Sequence, residues 1–395
     1  MDLWEKRKEM MRNLIVSIFF VLLSFNAYAA NWNNSTSTEK LNTPNPINAL
    51  AGLGINSMAL WSGGSRTDPN NGEQFLDHFL PLETYGIKHV VLVSCADWLI
   101  DKKCKKQFQD MYGIIKSAKL LLDNTKLHVV VQLKAYEQKK VQGKNTSNLQ
   151  SLLEKDDKIV VKFTEAWAEI AKALQNYPAE RLSFNVLNEP EFELPKITNK
   201  KRDRWLAIAE KTSIAIRKVS PERPIIVEGV GKSLHSNRNG RGQYKYTNPS
   251  QILIPIGVPN IIYAFHSYEP EQFLQQAKYR YGSFGKPYKE KYTKMIQKDA
   301  QHAIKWSNRH KVPIMLTETG CIGFLAGQEG PKTNEDCGKF AADIKQFYLD
   351  AGIGVSWWAL EKEKTIYNRD CPKNCWMPSK LEPNKAIFDG FGLTF

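Results

Sequence analysis

The chain is predicted to fold as an α/β protein, a single-domain (β/α)8 TIM barrel. Eight short apolar runs recur along it from about residue 48 onward. Stretches with helical periodicity separate most of them. Polar and aromatic side chains follow several runs directly, and a barrel of parallel strands places its reactive groups at those C-terminal ends. The length of 395 residues is compatible with one such domain, because barrels of roughly 250 residues and more form a single unit.

The apolar runs cover 51–60, 89–94, 127–133, 182–187, 224–230, 261–265, 312–317 and 353–357. They are mostly continuous rather than alternating, as expected of strands covered on both faces. Several are rich in Val and Ile, which favours strand over short helix. Between them, Val160, Phe163, Trp167, Ile170 and Leu174 repeat at helical spacing, as do Trp205, Ile208, Ala209, Thr212 and Ala215. Tyr292, Met295, Ile296, Ala300, Ala303 and Ile304 form a third stripe. Phe340, Ile344, Phe347 and Ala351 form a fourth, closed by Gly352 as a C-cap. An open doubly wound sheet shares this alternation, but it usually carries a Gly-rich phosphate loop after the first strand, and Gly63-Gly64 alone is not one.

The N-terminus reads as a signal peptide over 1–29. Lys6, Arg7, Lys8 and Arg12 precede an apolar run at 14–25, and Ala27-Tyr28-Ala29 offers a small-x-small cleavage pattern before Ala30. That run of 12 residues is short for a bilayer span, so stable membrane insertion is not expected after cleavage; an uncleaved anchor is the alternative. Residues 30–47 form a polar, Pro-interrupted flexible lead-in, and 48–395 the barrel. All six cysteines follow the cleavage point. In a secreted or periplasmic chain they permit three disulfides, and sequential pairing as Cys95–Cys104, Cys321–Cys337 and Cys371–Cys375 closes one loop each. Zinc is the competing use, disfavoured because there is no Cys-x-x-Cys pair and no nearby His. The 55 Lys and Arg against 41 Asp and Glu suit an anionic surface or a plain solvated one. Scattered lysines do not form the stripe that nucleic acid requires. Asn33, Asn34 and Asn145 begin sequons, which matter only in a cell that glycosylates.

Four strand ends carry the candidate chemistry. Asn188-Glu189-Pro190 follows the fourth run, His266-Ser267-Tyr268 the sixth and Glu318-Thr319-Gly320 the seventh; Trp357-Trp358 ends the eighth. Two carboxylates from opposed strand ends converge above a barrel. A pair roughly 5 to 5.5 Å apart is what hydrolysis of a glycosidic bond with retention needs. A charge directly after an apolar run is costly unless it opens into a cleft. The seven histidines include no His-x-His or His-Glu-x-x-His cluster, which argues against a metal-dependent hydrolase.

The segments SFNVLNEPEF, AFHSYEP, MLTETG and GVSWWALEKE, in that order and at barrel spacing, resemble glycoside hydrolase family 5, the cellulase family. The resemblance covers 48–395. It implies that Glu189 is the acid/base and Glu318 the nucleophile. Asn188 would bind the sugar 2-hydroxyl, Tyr268 would hold Glu318, His266 would orient the acid/base or touch sugar, and Trp358 would floor the cleaved subsite. It further implies a β-linked polysaccharide substrate, β-1,4-glucan first, no cofactor and no metal, and a monomer. Trp61, Trp98, Tyr136, Trp357 and Trp376 are further candidate sugar platforms.

Two departures stand out. Val91 occupies the position of the family's strand 2 arginine, and Lys134, Ala135 and Tyr136 replace its histidine pair after strand 3. Lys134, or Arg66 in the loop after the first strand, is expected to supply the missing cation within about 4 to 6 Å of Glu318. The alternatives are a β-mannanase, another β-glucanase or a transglycosylase on the same residues, or a carbohydrate-binding protein that has lost catalysis.

Overall fold

A computed structural model describes residues 50–57, 75–101, 110–135, 138–141, 144–190, 198–230, 236–238, 244–246, 253–270, 273, 287–321, 334–360, 365–368 and 381–395. The expectations for the signal peptide and the lead-in, and for Trp61, Arg66, Tyr136, Trp376, Cys104, Cys371 and Cys375, lie outside the described residues.

Eight parallel strands close into a barrel in chain order: β1 Leu53–Ser57, β2 His89–Cys95, β3 His128–Lys134, β4 Leu182–Asn188, β5 Ile225–Glu228, β6 Ile261–His266, β7 Ile314–Thr319 and β8 Gly354–Trp358. Pairing of Leu53 with Val355 and Asn56 with Trp358 joins the first strand to the last. Each strand falls within two residues of the apolar run that predicts it, apart from the run at 51–60, whose end lies outside the described residues. Antiparallel hairpins, Gln138–Val141 with Lys144–Ser147 and Ser236–Arg238 with Tyr244–Tyr246, are inserted after β3 and β5.

The helices that cover the barrel are α1 Leu80–Thr84, α2 Met111–Asn124, α3 Asp157–Ala173, α4 Asn199–Val219, α5 Glu290–His310, α6 Asn334–Ile344 and α7 Lys385–Phe391. The four stripes in the sequence mark α3 to α6, the last continuing into a π turn at Lys345–Leu349. The stripes do not mark α2. Its inner face mixes Met111, Ile114 and Leu121 with Ser117 and Ala118, which dilutes the apolar pattern. The starts of α2, α3 and α4 are capped by Asp110, Asp156 and Thr198, whose side chains accept backbone N–H groups of the first turn. Among the described residues no helix is long and apolar enough to cross a membrane.

Two apolar layers position the site. The larger lies between strands and helices, and two tryptophans pin it to the strand ends. Trp167 Nε1 donates to Val186 O at 3.0 Å, and Trp205 Nε1 donates to Glu228 O at 2.7 Å. The smaller is a plug inside the barrel made of Leu50, Val91, Val93, Val130, Ile226, Ile262, Ala264 and Met315, with Trp358 packed on it. The register shifts between Gln132 and Lys134 against β4, and again between Phe265 and His266 against β7. Such irregularities re-aim side chains near strand ends. Here the second shift sets His266 opposite Glu318.

Cys321, two residues past β7, is disulfide-bonded to Cys337 in α6, as the sequential pairing expects. Cys95 is also disulfide-bonded, with its partner outside the described residues.

Gly354 opens β8 where a Cβ would lie 1.8 Å from the Leu50 carbonyl oxygen. Backbone cannot retreat from that contact cheaply, so Gly354→Ala is expected to destabilise the barrel by about 3 kcal/mol. The shift of the urea midpoint between parent and variant measures it.

Candidate active site

Glu189 and Glu318 face each other across the C-terminal mouth of the barrel. Glu189 follows the last residue of β4 and is held in the left-handed region at φ 46°. A non-glycine residue is uncommon there, and the conformation turns its carboxylate inward. Glu318 is the penultimate residue of β7, 6% exposed. One oxygen of each carboxylate and a ring nitrogen of His266 all lie within 4.8 Å of one another. Carboxylate oxygens that approach this closely fit the roughly 5 to 5.5 Å spacing of retaining pairs better than the roughly 6.5 to 9.5 Å of inverting ones.

His266, at the end of β6, bridges them. Its Nδ1 lies 3.1 Å from Glu189 Oε1 and 3.3 Å from Glu318 Oε2, and its Nε2 lies 3.3 Å from Glu228 Oε2. Burial alone would favour the neutral ring. The charges of Glu228 and Glu318 and the hydrogen bond to Glu189 outweigh it, and hold the pKa well above the usual 6.5. Two other histidines act as an internal control. His89 and His128 are equally buried at the opposite end of the barrel, where Ser356 and Ser183 are their side-chain partners. Burial pushes His89 down to about 3, with help from His128. It pushes His128 down to about 4, against the opposing hydrogen bond to Glu180 O. What distinguishes His266 is its set of carboxylate neighbours.

Glu228, the last residue of β5, escapes the sequence reading. It is 2% exposed, and its Oε2 accepts the backbone N–H of Glu189 at 2.8 Å. Its Oε1 accepts from Asn185 Nδ2 at 2.7 Å and from Gln132 Nε2 at 3.3 Å. Gln132 also donates to Asn188 Oδ1 at 2.5 Å. With its oxygen so engaged, the amide nitrogen of Asn188 is left buried, and Nδ2 has no hydrogen-bond partner among the described residues. The signal for Glu228 is present in the sequence. An acid closing the run Ile225-Ile226-Val227 is expensive to bury without donors.

Tyr268 donates its phenol to Glu318 Oε1 at 2.5 Å. Between it and His266, Ser267 donates to Asp299 of α5, whose Oδ2 also accepts from Tyr348 at 2.8 Å. Trp358 packs on the interior plug, and Lys134 Nζ lies 4.9 Å from its ring centroid, a cation–π contact. Trp357 corrects one expectation. It is fully buried and packs outward against Phe340 and Phe391, so it offers no face to a ligand. Trp98 follows β2 on the same rim, partly buried against the outer core. Val91 is part of the interior plug.

A metal ion would also accept the spacing of Glu189, His266 and Glu318. The raised pKa of His266 favours the protonated ring, which has no lone pair to offer a metal.

A closed (β/α)8 barrel with paired carboxylates at its C-terminal mouth defines a TIM-barrel protein with a glycosidase-type site. The family model for cellulase, glycosyl hydrolase family 5, matches residues 93–364, and the chain belongs to that family. Endoglucanase 3 of Fibrobacter succinogenes is 29% identical over 122 residues, which are 31% of this chain and 16% of that protein. The match therefore spans only a small part of that relative. Among solved structures, a hyperthermophilic endo-β-1,4-glucanase in complex with substrate superposes with a TM-score of 0.61 at 20% identity, covering 88% of this chain and 98% of the other. Thermotoga maritima Cel5A in complex with mannotriose gives 0.60 at 19% identity, covering 88% and 100%.

Because folding raises the pKa of His266, its contribution to stability is fully present below about pH 6.5 and is lost as pH rises through the folded value. The destabilisation caused by His266→Gln should accordingly be largest in mild acid and shrink toward alkaline pH. Thermal denaturation of parent and variant across that range checks it.

Proposed function

We propose that the chain is an exported retaining glycosidase that cleaves β-linked polysaccharide, β-1,4-glucan first, by double displacement at Glu318 and Glu189. The observation that carries this reading is the approach of the two carboxylates within 4.8 Å, bridged by one histidine. Family membership and the endoglucanase relative support the substrate class. The disulfide at Cys321–Cys337 supports export, together with the signal-like N-terminus.

In the first step Glu318 attacks the anomeric carbon while Glu189 gives its proton to the departing glycosidic oxygen. The C–O bond to the leaving sugar breaks as the ester to Glu318 forms. Tyr268 holds the attacking carboxylate by its other oxygen. Asn188 presents its unengaged Nδ2 to the sugar 2-hydroxyl, a contact that strengthens as charge develops on the ring. Trp358 lies beneath the ring as its floor. Esterification removes the negative charge of Glu318, so Glu189 then holds a proton less tightly and can take one from water. That water attacks the anomeric carbon and releases Glu318.

The test is reducing-sugar release from β-1,4-glucan, mixed-linkage glucan, β-mannan and xylan. Mannan belongs in the panel because one structural neighbour was solved with mannotriose. Glu189→Gln and Glu318→Gln should each lose roughly 10³-fold or more in kcat, as expected for removal of an acid/base or nucleophile. On an aryl glycoside with a good leaving group Glu189→Gln should still form the glycosyl-enzyme, because little proton donation is then required. Binding without release from any polymer would replace the hydrolase by a carbohydrate-binding protein. Longer products in place of new reducing ends would make it a transglycosylase.

A further inference from the structure

The family's strand 2 arginine is a fixed cation beside the nucleophile, and its place is taken here by Val91, which packs in an apolar plug. Among the described residues His266 Nδ1 lies 3.3 Å from Glu318 Oε2, and the same Nδ1 lies 3.1 Å from Glu189 Oε1. On the far side of the ring, Glu228 lies 3.3 Å from Nε2. Its opposite oxygen is occupied by Asn185 and Gln132, so the carboxylate cannot turn away. The oxygen nearest His266 also accepts the Glu189 backbone N–H.

We propose that Glu228 is a positioning residue that takes over the work of the absent arginine, by keeping His266 a charged imidazolium that serves both reacting carboxylates in turn. The proposal rests on the assignment of Glu189 and Glu318 as the reacting pair. Before attack the negative charge of the pair is on Glu318, whose Oε2 lies 3.3 Å from Nδ1 as an ion-pair neighbour rather than a hydrogen-bond acceptor. After esterification Glu318 is neutral and the charge reappears on Glu189, which the same N–H already reaches. The ring therefore lies close to both oxygens, its Nδ1 hydrogen bond going to Glu189 and its charge acting on Glu318 through space. No proton leaves the ring in either step; the proton that travels is the one Glu189 gives to the leaving oxygen and later takes from water.

The charged groups facing the ring are Glu189 from the end of β4, Glu228 from β5 and Glu318 from β7, with Lys134 on β3 over the neighbouring Trp358. Three acids around one imidazole favour its charged form, and burial opposes it. Removing the acid that takes no part in bond making should tip this balance while leaving the reacting pair intact.

The experiment uses the full chain labelled with 15N, with the His266 ring signals assigned by their loss in His266→Gln. In the parent, both ring nitrogens should keep imidazolium shifts from about pH 5 to about pH 8, beyond the ordinary histidine range. In Glu228→Gln the ring should titrate inside that interval. The alkaline limb of glucan hydrolysis should then move down by about one pH unit or more, and kcat should fall about 10- to 100-fold with KM changed less than about threefold. A variant that merely loosened the fold would not convert a non-titrating ring into a titrating one. The proposal is overturned if His266 in the parent turns neutral near pH 6.5, a result that stands even where the variant does not fold. It is equally overturned if Glu228→Gln leaves the ring charged and kcat within about threefold. The ring signal does not depend on turnover. An inactive parent would sink the hydrolase reading alone, and an active parent with a neutral ring would sink only the role of Glu228.

Discussion

A buried ring held between three carboxylates is the interaction around which this barrel mouth is organised. Each acid arrives from a different strand end, and each would be costly to bury by itself. His266 makes their proximity tolerable, and they in turn make its charge tolerable. Neither half is stable without the other, which is the usual condition of an ion network taken out of water. His89 and His128 show what happens to a histidine on the same scaffold without such neighbours: it stays neutral.

The rest of the molecule supplies the rigidity this network requires. Trp167 ties α3 to β4 and Trp205 ties α4 to the end of β5, so the helix layer fixes the strands that deliver Glu189 and Glu228. The register shift between β6 and β7 brings His266 and Glu318 to one level. Asp299 of α5 reaches through to Ser267 and joins it to Tyr348, anchoring the segment between His266 and Tyr268 from behind. The apolar plug closes the barrel beneath the site.

The barrel was legible in the sequence because its strands are continuous apolar runs and four of its helices carry clean stripes. The proximity of Glu189, His266, Tyr268 and Glu318 follows from their places at or just past the ends of such runs. Glu228 is hidden because it lies within the run at 224–230, where an acid reads as one more strand residue. Gln132 and Asn185 were hidden for a related reason. Inward-facing polar residues on buried strands look like interruptions of an apolar pattern until their partners on neighbouring strands are known. Trp357 shows the converse error, since adjacent tryptophans on a strand point to opposite faces and only Trp358 turns inward.

The left-handed backbone at Glu189 sets selection for turnover against selection for stability. A side chain in that region costs roughly 1 kcal/mol or more relative to glycine. On the proposed role of Glu189 as acid/base, the same site offers a drifting lineage a stabilising substitution that removes its proton donor. A descendant released from the need to act on its substrate would find the change to glycine favourable at this position and at few others along the rim. Whether Glu189 persists in a diverged copy of this barrel is thus a record of continued use, written in a backbone angle rather than in the pocket's shape.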